Sequence, residues 1–203
     1  MAKILHIVSS PRGNQSFSRQ LGNAIIDSIK KREPDTTVKE HVLSENPYPH
    51  LGEAHITGFY TPEENRTPEQ AIAVKRSDDA IAELQGAEII VIGVPMYNFS
   101  IPSSLKAYFD HVARAGITFR YSEKGPEGLL KNKKAYIALS SAGVFDNDAM
   151  RPYDFAAPYV KQFLDFIGIT DVTVFRVEGT AIPGIQETAM EKALENVNAY
   201  FGR

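Results

Sequence analysis

Read as hydrophobic and polar positions, the chain switches repeatedly between strand and helix periods. Lys3 to Val8 (KILHIV) is a short apolar run that predicts a buried strand, followed by a polar loop. Leu21, Ala24, Ile25, Ser28 and Ile29 share one helical face, closed by Lys30, Lys31 and Arg32 ahead of Pro34; a basic last turn before proline is a helix stop. Thr37 to Val42 reads as a second strand. Residues 43–66 carry three prolines and two glycines with no sustained period, which predicts a long irregular loop, either a lid or a partner contact. Thr67-Pro68-Glu69-Gln70 restores order with a capping threonine, proline at the first helical position and glutamine at the third, opening a helix to about Leu84. Glu88 to Val94 (EIIVIGV) is the most continuously apolar segment, as a strand covered on both faces should be.

The second half repeats the alternation. Pro102 opens a helix with Leu105, Phe109 and Val112 on one face, and residues 116–132 read as a hairpin-like excursion turning at Gly125-Pro126. Ala135–Leu139 is another buried strand, Tyr153–Ile167 a helix ending at Gly168, and Val172–Val177 a fifth strand. Met190, Ala193, Leu194, Val197 and Phe201 mark the last helix. Five strands alternating with helices predict an α/β fold: one domain over 1–203, a doubly wound five-stranded parallel sheet with helices on both faces. Ligands of such sheets bind beyond the carboxyl ends of the strands, so the loops after Val8, Val94 and Leu139 are the candidate site.

Composition narrows the chemistry. The 203 residues include no cysteine, which removes disulfide scaffolds, zinc-thiolate sites, iron–sulfur clusters and cysteine nucleophiles. A net charge of −3 with only two short basic clusters argues against nucleic acid as a partner. No stretch approaches the ~20 apolar residues of a membrane span, and no signal peptide is evident, so the expected location is the cytoplasm. The five histidines show no metal-ligand spacing, His50 and His55 read as solvated loop residues, and Asp146 and Asp148 read as a turn.

The loop after the first strand, Ser9-Ser10-Pro11-Arg12-Gly13-Asn14-Gln15-Ser16-Phe17-Ser18, has neither a P-loop nor a dinucleotide fingerprint. It supplies hydroxyls, an arginine and free amides at a helix N-terminus, the donor set for a phosphate monoester. The alternative is a serine-rich turn with Ser16 or Ser18 merely capping the helix. Pro95-Met96-Tyr97-Asn98-Phe99-Ser100-Ile101-Pro102 places large amphipathic side chains where a buried strand ends, a slot for a planar ring, unless these side chains are simply core. Ser140-Ser141-Ala142-Gly143 is small enough to let a ligand approach the backbone.

These residues resemble the FMN-dependent NADH:azoreductases, flavodoxin-like quinone reductases. The resemblance is carried by PMYNFSIPSSLKAYFDHVARAGITFRY (95–121), GPEGL (125–129), FIGITDV (166–172), the serine pair at 9 and 10, and the S-x-S at 16–18. It implies a flavodoxin-like fold and one non-covalent FMN per subunit. The phosphate is expected on Ser9, Ser16 and Ser18 and the ring on Met96, Tyr97, Asn98 and Phe99, with Phe17 and Pro95 as further cofactor-binding residues. The ring's polar edge is expected on Ser140 and Gly143, with Ser141 and Ala142 between them also counted as cofactor-binding. Residues matching Tyr121 and Phe163 border the substrate space in relatives. The resemblance further implies NADH or NADPH as donor, quinones or azo compounds as acceptors, ping-pong hydride transfer with no protein acid or base, and a homodimer with FMN at its interface. Two departures stand out: the family often has S-R-G-G at 140–143, and Arg12-Gly13 is unlike close relatives. The competing readings are a flavodoxin-type electron carrier, which is usually far more acidic, and a hydrolase, since some relatives were once named acyl-carrier-protein phosphodiesterases; no nucleophilic elbow supports the latter.

Overall fold

The computed structural model describes residues 2–202. Its centre is a parallel sheet of β1 (Lys3–Val8), β2 (Thr37–Val42), β3 (Ile89–Pro95), β6 (Lys134–Ser140) and β7 (Asp171–Val177), in the spatial order β2-β1-β3-β6-β7. The chain builds outward from β1 to β2, then returns past β1 to lay down β3, β6 and β7. The reversal leaves a crevice at the carboxyl ends of β1 and β3, where Val8 pairs with Gly93. A separate antiparallel hairpin, β4 (Phe119–Ser122) with β5 (Gly125–Gly128), occupies the excursion expected over 116–132.

Period-two alternation divides the core between two faces. Ile90, Ile92 and Val94 of β3 point to one side with Leu5, Ile7, Ile137 and Leu139; there they meet α3 (Pro68–Gly86), α4 (Ser103–Val112) and α5 (Ala157–Phe166) through Leu84, Leu105, Phe109, Val160 and Leu164. Val91, Ile4, Tyr136 and Phe175 point to the other, onto Leu21, Ile25, Ala193 and Val197 of α1 (Phe17–Arg32) and α6 (Ala189–Phe201). Thr67 Oγ1 accepts from the Gln70 amide while Gln70 Oε1 accepts from the Thr67 amide, the reciprocal cap that the sequence predicts for α3.

Three expectations need correction. Residues 43–66 are not irregular throughout: α2 (Glu53–Tyr60) and a 3₁₀ turn at Glu63–Asn65 lie within them. Two helical turns are too few to show a period, and tertiary contact holds them. Gly58 sits so close to α3 that a Cβ there would lie 2.7 Å from Val74 Cγ1. The ring of Phe59 lies under Arg114, which is buried and donates to Ser77 Oγ and Asp78 Oδ1, both at 2.9 Å. His55 is therefore half-buried on α2 with its ring 5.1 Å from His111, not a solvated loop residue. The fifth helix begins at Ala157 rather than Tyr153, because the Asp154 carboxylate takes the amides of Ala156 and Ala157 at 2.9 and 3.0 Å and sets the start there.

His6, buried on β1 against α1, gives the fold a pH dependence. A Cβ on Gly22 would lie 2.7 Å from His6 Nε2, so the ring fills the space that this glycine leaves. Burial, reinforced by the Arg19 charge, lowers its pKa to about 4. Glu40 Oε2 lies 3.4 Å from Nδ1, but Arg19 holds Glu40 Oε1 at 2.6 Å and the desolvation dominates. The folded state thus keeps His6 neutral while the unfolded chain takes up a proton near pH 6.5. Stability is full above that value and is lost as the pH falls toward 4, by on the order of 3 kcal/mol. Denaturant titrations at about pH 7 and about pH 4.5 are expected to show this loss in the wild type and a smaller one in His6→Asn; equal losses would remove His6 as the cause.

Candidate functional site

At the crevice, the loops after β1, β3, β6 and β7 surround a hollow of about 200 Å³ lined by Ser10, Arg12, Ser16, Phe17, Pro95, Met96, Tyr97, Ser140, Ser141, Ala142 and Thr180. No carboxylate lines it, and Arg12 is its one charge. One wall is the N-terminus of α1. Gly13, at φ +55°, turns the chain into a 3₁₀ step, and the Ser16 hydroxyl then caps the helix by accepting from the Arg19 amide at 3.3 Å. Ser16 Oγ and Ser18 Oγ lie 3.0 Å apart, both buried, beside the first-turn amides that a helix leaves without internal partners. Ser16 is a helix cap, then, and that role leaves its oxygen beside a positive dipole end, where an anion is also favoured.

The opposite wall descends from β3. Pro95 pairs with Ser140 in the sheet, and the Met96 amide donates to the Ser140 carbonyl at 2.7 Å. Tyr97 and Ser100 then exchange hydrogen bonds of 2.9 and 3.0 Å across a two-residue turn with Asn98 at φ 48° and Phe99 at φ 69°. A left-handed phenylalanine is sterically costly. It is supported by the Phe155 amide, which donates to the Phe99 carbonyl at 3.0 Å, and by the rings of Phe145 and Tyr153 at 6.4 and 6.2 Å. The amides of Met96 and Tyr97 are thereby committed; those of Asn98 and Phe99 have no partner among the described residues.

The loop after β6 is laced to the loop after β7. The Ser141 carbonyl accepts from the amide and hydroxyl of Thr180 at 3.2 and 3.0 Å, and Gly143 accepts from the Gly179 amide at 3.0 Å. Ser141 Oγ donates back to the Gly143 carbonyl at 2.8 Å.

Of the residues singled out from sequence, Ser16, Phe17, Pro95, Met96, Tyr97, Ser140, Ser141 and Ala142 come together here. Ser18, in hydrogen-bond reach of Ser16, is not itself a lining residue, and neither are Asn98, Phe99 and Gly143. The Ser9 hydroxyl donates to the Gly93 carbonyl at 2.6 Å, tying β1 to β3. Tyr121 is exposed on the hairpin and Phe163 is stacked on Phe109 at 4.0 Å; neither lines the hollow of this chain. Ser10 and Thr180 are lining residues that the sequence reading left unassigned. Thr180 follows β7, and the rule that directed attention to the other strand ends applies equally to that one. Among the described residues no group of three histidines, cysteines or carboxylates is placed to hold a metal, and no helix is long and apolar enough to cross a membrane.

The strand order and a crevice of this construction define a flavodoxin-like protein, and a family model described as flavodoxin-like fold matches residues 2–201, so the chain belongs to that family. Among curated relatives, an FMN-dependent NADH:quinone oxidoreductase of Herminiimonas arsenicoxydans is 46% identical over 200 residues, covering 98% of each chain. One of the same name from Burkholderia pseudomallei is 42% identical over 98% of this chain and 100% of its own. Among solved structures, an azoreductase from Bacillus anthracis superposes with a TM-score of 0.91 at 30% identity over 99% of both chains. An FMN-dependent NADH-azoreductase from the same species, in complex with FMN, superposes at 0.89 and 27%, covering 100% of this chain and 99% of that one.

Proposed function

We propose that this chain is an FMN-dependent NAD(P)H oxidoreductase that reduces quinones and azo compounds, acting in the cytoplasm as a homodimer with one flavin per subunit. The observation that carries the reading is the crevice at β1 and β3: hydroxyls, a helix N-terminus and Arg12 on one side, a proline-framed aromatic turn on the other, and no carboxylate between. The names of the full-length relatives point the same way.

FMN fits this donor set. Ser16 and Ser18, with the first-turn amides of α1, would hold the phosphate; Pro95, Met96 and Tyr97 would lie along the ring, and the 140–143 loop and the free amides of Asn98 and Phe99 would offer hydrogen bonds to its polar groups. When bound, FMN supplies hydride transfer from the nicotinamide to the acceptor, and the protein supplies orientation. Donor and acceptor would then occupy the crevice one after the other, the ping-pong order. No residue of the chain acts as general acid or base in this scheme. Tyr121, exposed on the hairpin, and Phe163, neither of which lines the hollow of its own chain, serve the substrate space through the dimer.

Purified protein is expected to be yellow and to sediment as a dimer. NADH added without oxygen should bleach it, and a quinone should restore the colour. A colourless protein that takes up no FMN overturns the reading; a monomer with FMN bound removes the dimer alone.

A further inference from the structure

The segment from Phe145 to Ala157 packs against the Phe99 turn beside the hollow; Phe145, Asp154, Ala156 and Ala157 are buried at its two ends, while residues 146–153 between them are not. Behind it opens a second hollow of about 650 Å³, lined in part by Phe145, Asp146, Asp154 and Arg176. In front, Phe145 and Tyr153 hold the Phe99 ring, and Phe155 holds the Phe99 carbonyl. The two ends of the segment are each fixed by a carboxylate. Glu178 accepts from the amides of Phe145 and Asp146 at 3.1 and 3.3 Å; Asp154 accepts from those of Ala156 and Ala157.

One side chain joins these carboxylates. Arg176 on β7 donates through Nη1 to Glu178 at 3.1 Å and through Nη2 to Asp154 at 2.6 Å. Asp154 is buried, with its side chain 3% exposed, so losing this partner leaves a desolvated charge rather than a solvated one. The planar fork of arginine spans two carboxylates at once; a lysine ammonium cannot hold both in a fixed geometry.

We propose that Arg176 is a positioning residue that sets the aromatic wall of Phe99, Phe145 and Tyr153 and so determines how well planar acceptors bind. The inference rests on the flavin-reductase reading above. Arg176 does not line the hollow; it acts through the two ends of the wall.

The test compares wild type with Arg176→Met, Arg176→Lys, Glu178→Ala and the double variant Arg176→Met/Glu178→Ala. Two readouts are used: FMN affinity by flavin fluorescence, and KM and kcat for a quinone. FMN affinity is expected to stay within about threefold, since the phosphate wall is untouched. Quinone KM should rise about tenfold in Arg176→Met with kcat within about threefold, because weaker acceptor binding falls on KM. Arg176→Lys should recover only part of the loss. The double variant should be no worse than Arg176→Met, as members of one network are not additive. If Arg176→Met fails to fold, Glu178→Ala decides, because it frees the Phe145 end while leaving Asp154 paired: a raised KM supports the proposal and an unchanged one overturns it. Unchanged KM in the single variants, full recovery with lysine, or KM and kcat effects that add in the double variant overturn it as well. Wild-type protein that binds no FMN defeats the functional reading and this inference together; FMN binding with an unmoved KM defeats this inference alone.

Discussion

Replacing Gly128 by alanine is expected to destabilise the protein by about 2–3 kcal/mol, a fall in Tm of roughly 5–10 °C for a chain of this size. Gly128 ends β5 against the turn after α5, and a Cβ there would lie 2.0 Å from Gly168 N and 2.4 Å from both Gly168 Cα and the Ile167 carbonyl carbon. All three are backbone atoms, so no rotamer change relieves the overlap. Gly168 itself sits at φ +103°, a conformation that other residues rarely adopt, so the close approach requires glycine on both sides. The contact also seats the hairpin. Leu130 donates to the Ile167 carbonyl at 2.9 Å, and the Phe119 ring, opposite Gly128 in the ladder, lies 4.4 Å from that of Phe166. Gly128→Ala should therefore loosen the hairpin, with faster proteolysis at Lys124 as a local sign. Gly86→Ala is the control: nothing lies within 4 Å of a Cβ there, and its Tm should stay within about 2 °C of wild type. Equal melting of the two variants would dismiss the clash.

The Ser16→Ala/Ser18→Ala double variant is expected to lose FMN affinity by about 100-fold or more. Hydrogen bonds to a charged group contribute about 1.5–3 kcal/mol each, and two are removed. Riboflavin, which lacks the phosphate, should bind the variant within about threefold of wild type. Removing the Ser16 cap also costs about 1 kcal/mol of stability, so a second variant separates the roles. Ser16→Asp keeps a capping oxygen and suits the helix dipole, yet puts a negative charge where the phosphate should sit. It should be as stable as wild type and still fail to hold FMN. Full FMN affinity in the double variant would refute the phosphate assignment.

Much of this architecture was legible because it is periodic. The apolar run of β3 and the alternation around it, the basic stop after α1, the capping residues of α3 and the heptad-like face of α6 are local signals, and the structure places each element within a few residues of the expectation. The loops of the candidate site were legible for a different reason: in a parallel sheet the functional loops must follow the strands, so finding the strands found the loops. Two elements were not legible. Helix α2 is two turns long and owes its place to Gly58 on Val74 and to Phe59 under Arg114, partners distant in the sequence. The start of α5 is not legible either, because it is set by the Asp154 carboxylate on the amides of Ala156 and Ala157, which the aromatic pattern around Tyr153 and Phe155 does not mark.

The sequence by itself determined the α/β class, the strand order's few options, and the serine, aromatic and small-residue loops, because these follow from hydrophobic period, capping chemistry and chain connectivity. Only the tertiary structure decided what each loop residue does. It assigned the Ser9 hydroxyl to Gly93 rather than to the hollow, added Ser10 and Thr180 to the lining, placed Phe99 in a left-handed turn, and joined Asp154 and Glu178 through Arg176. The physical reason is that hydrogen-bond partners and van der Waals overlap depend on distances between segments tens of residues apart. A linear pattern of polarity carries no record of those distances.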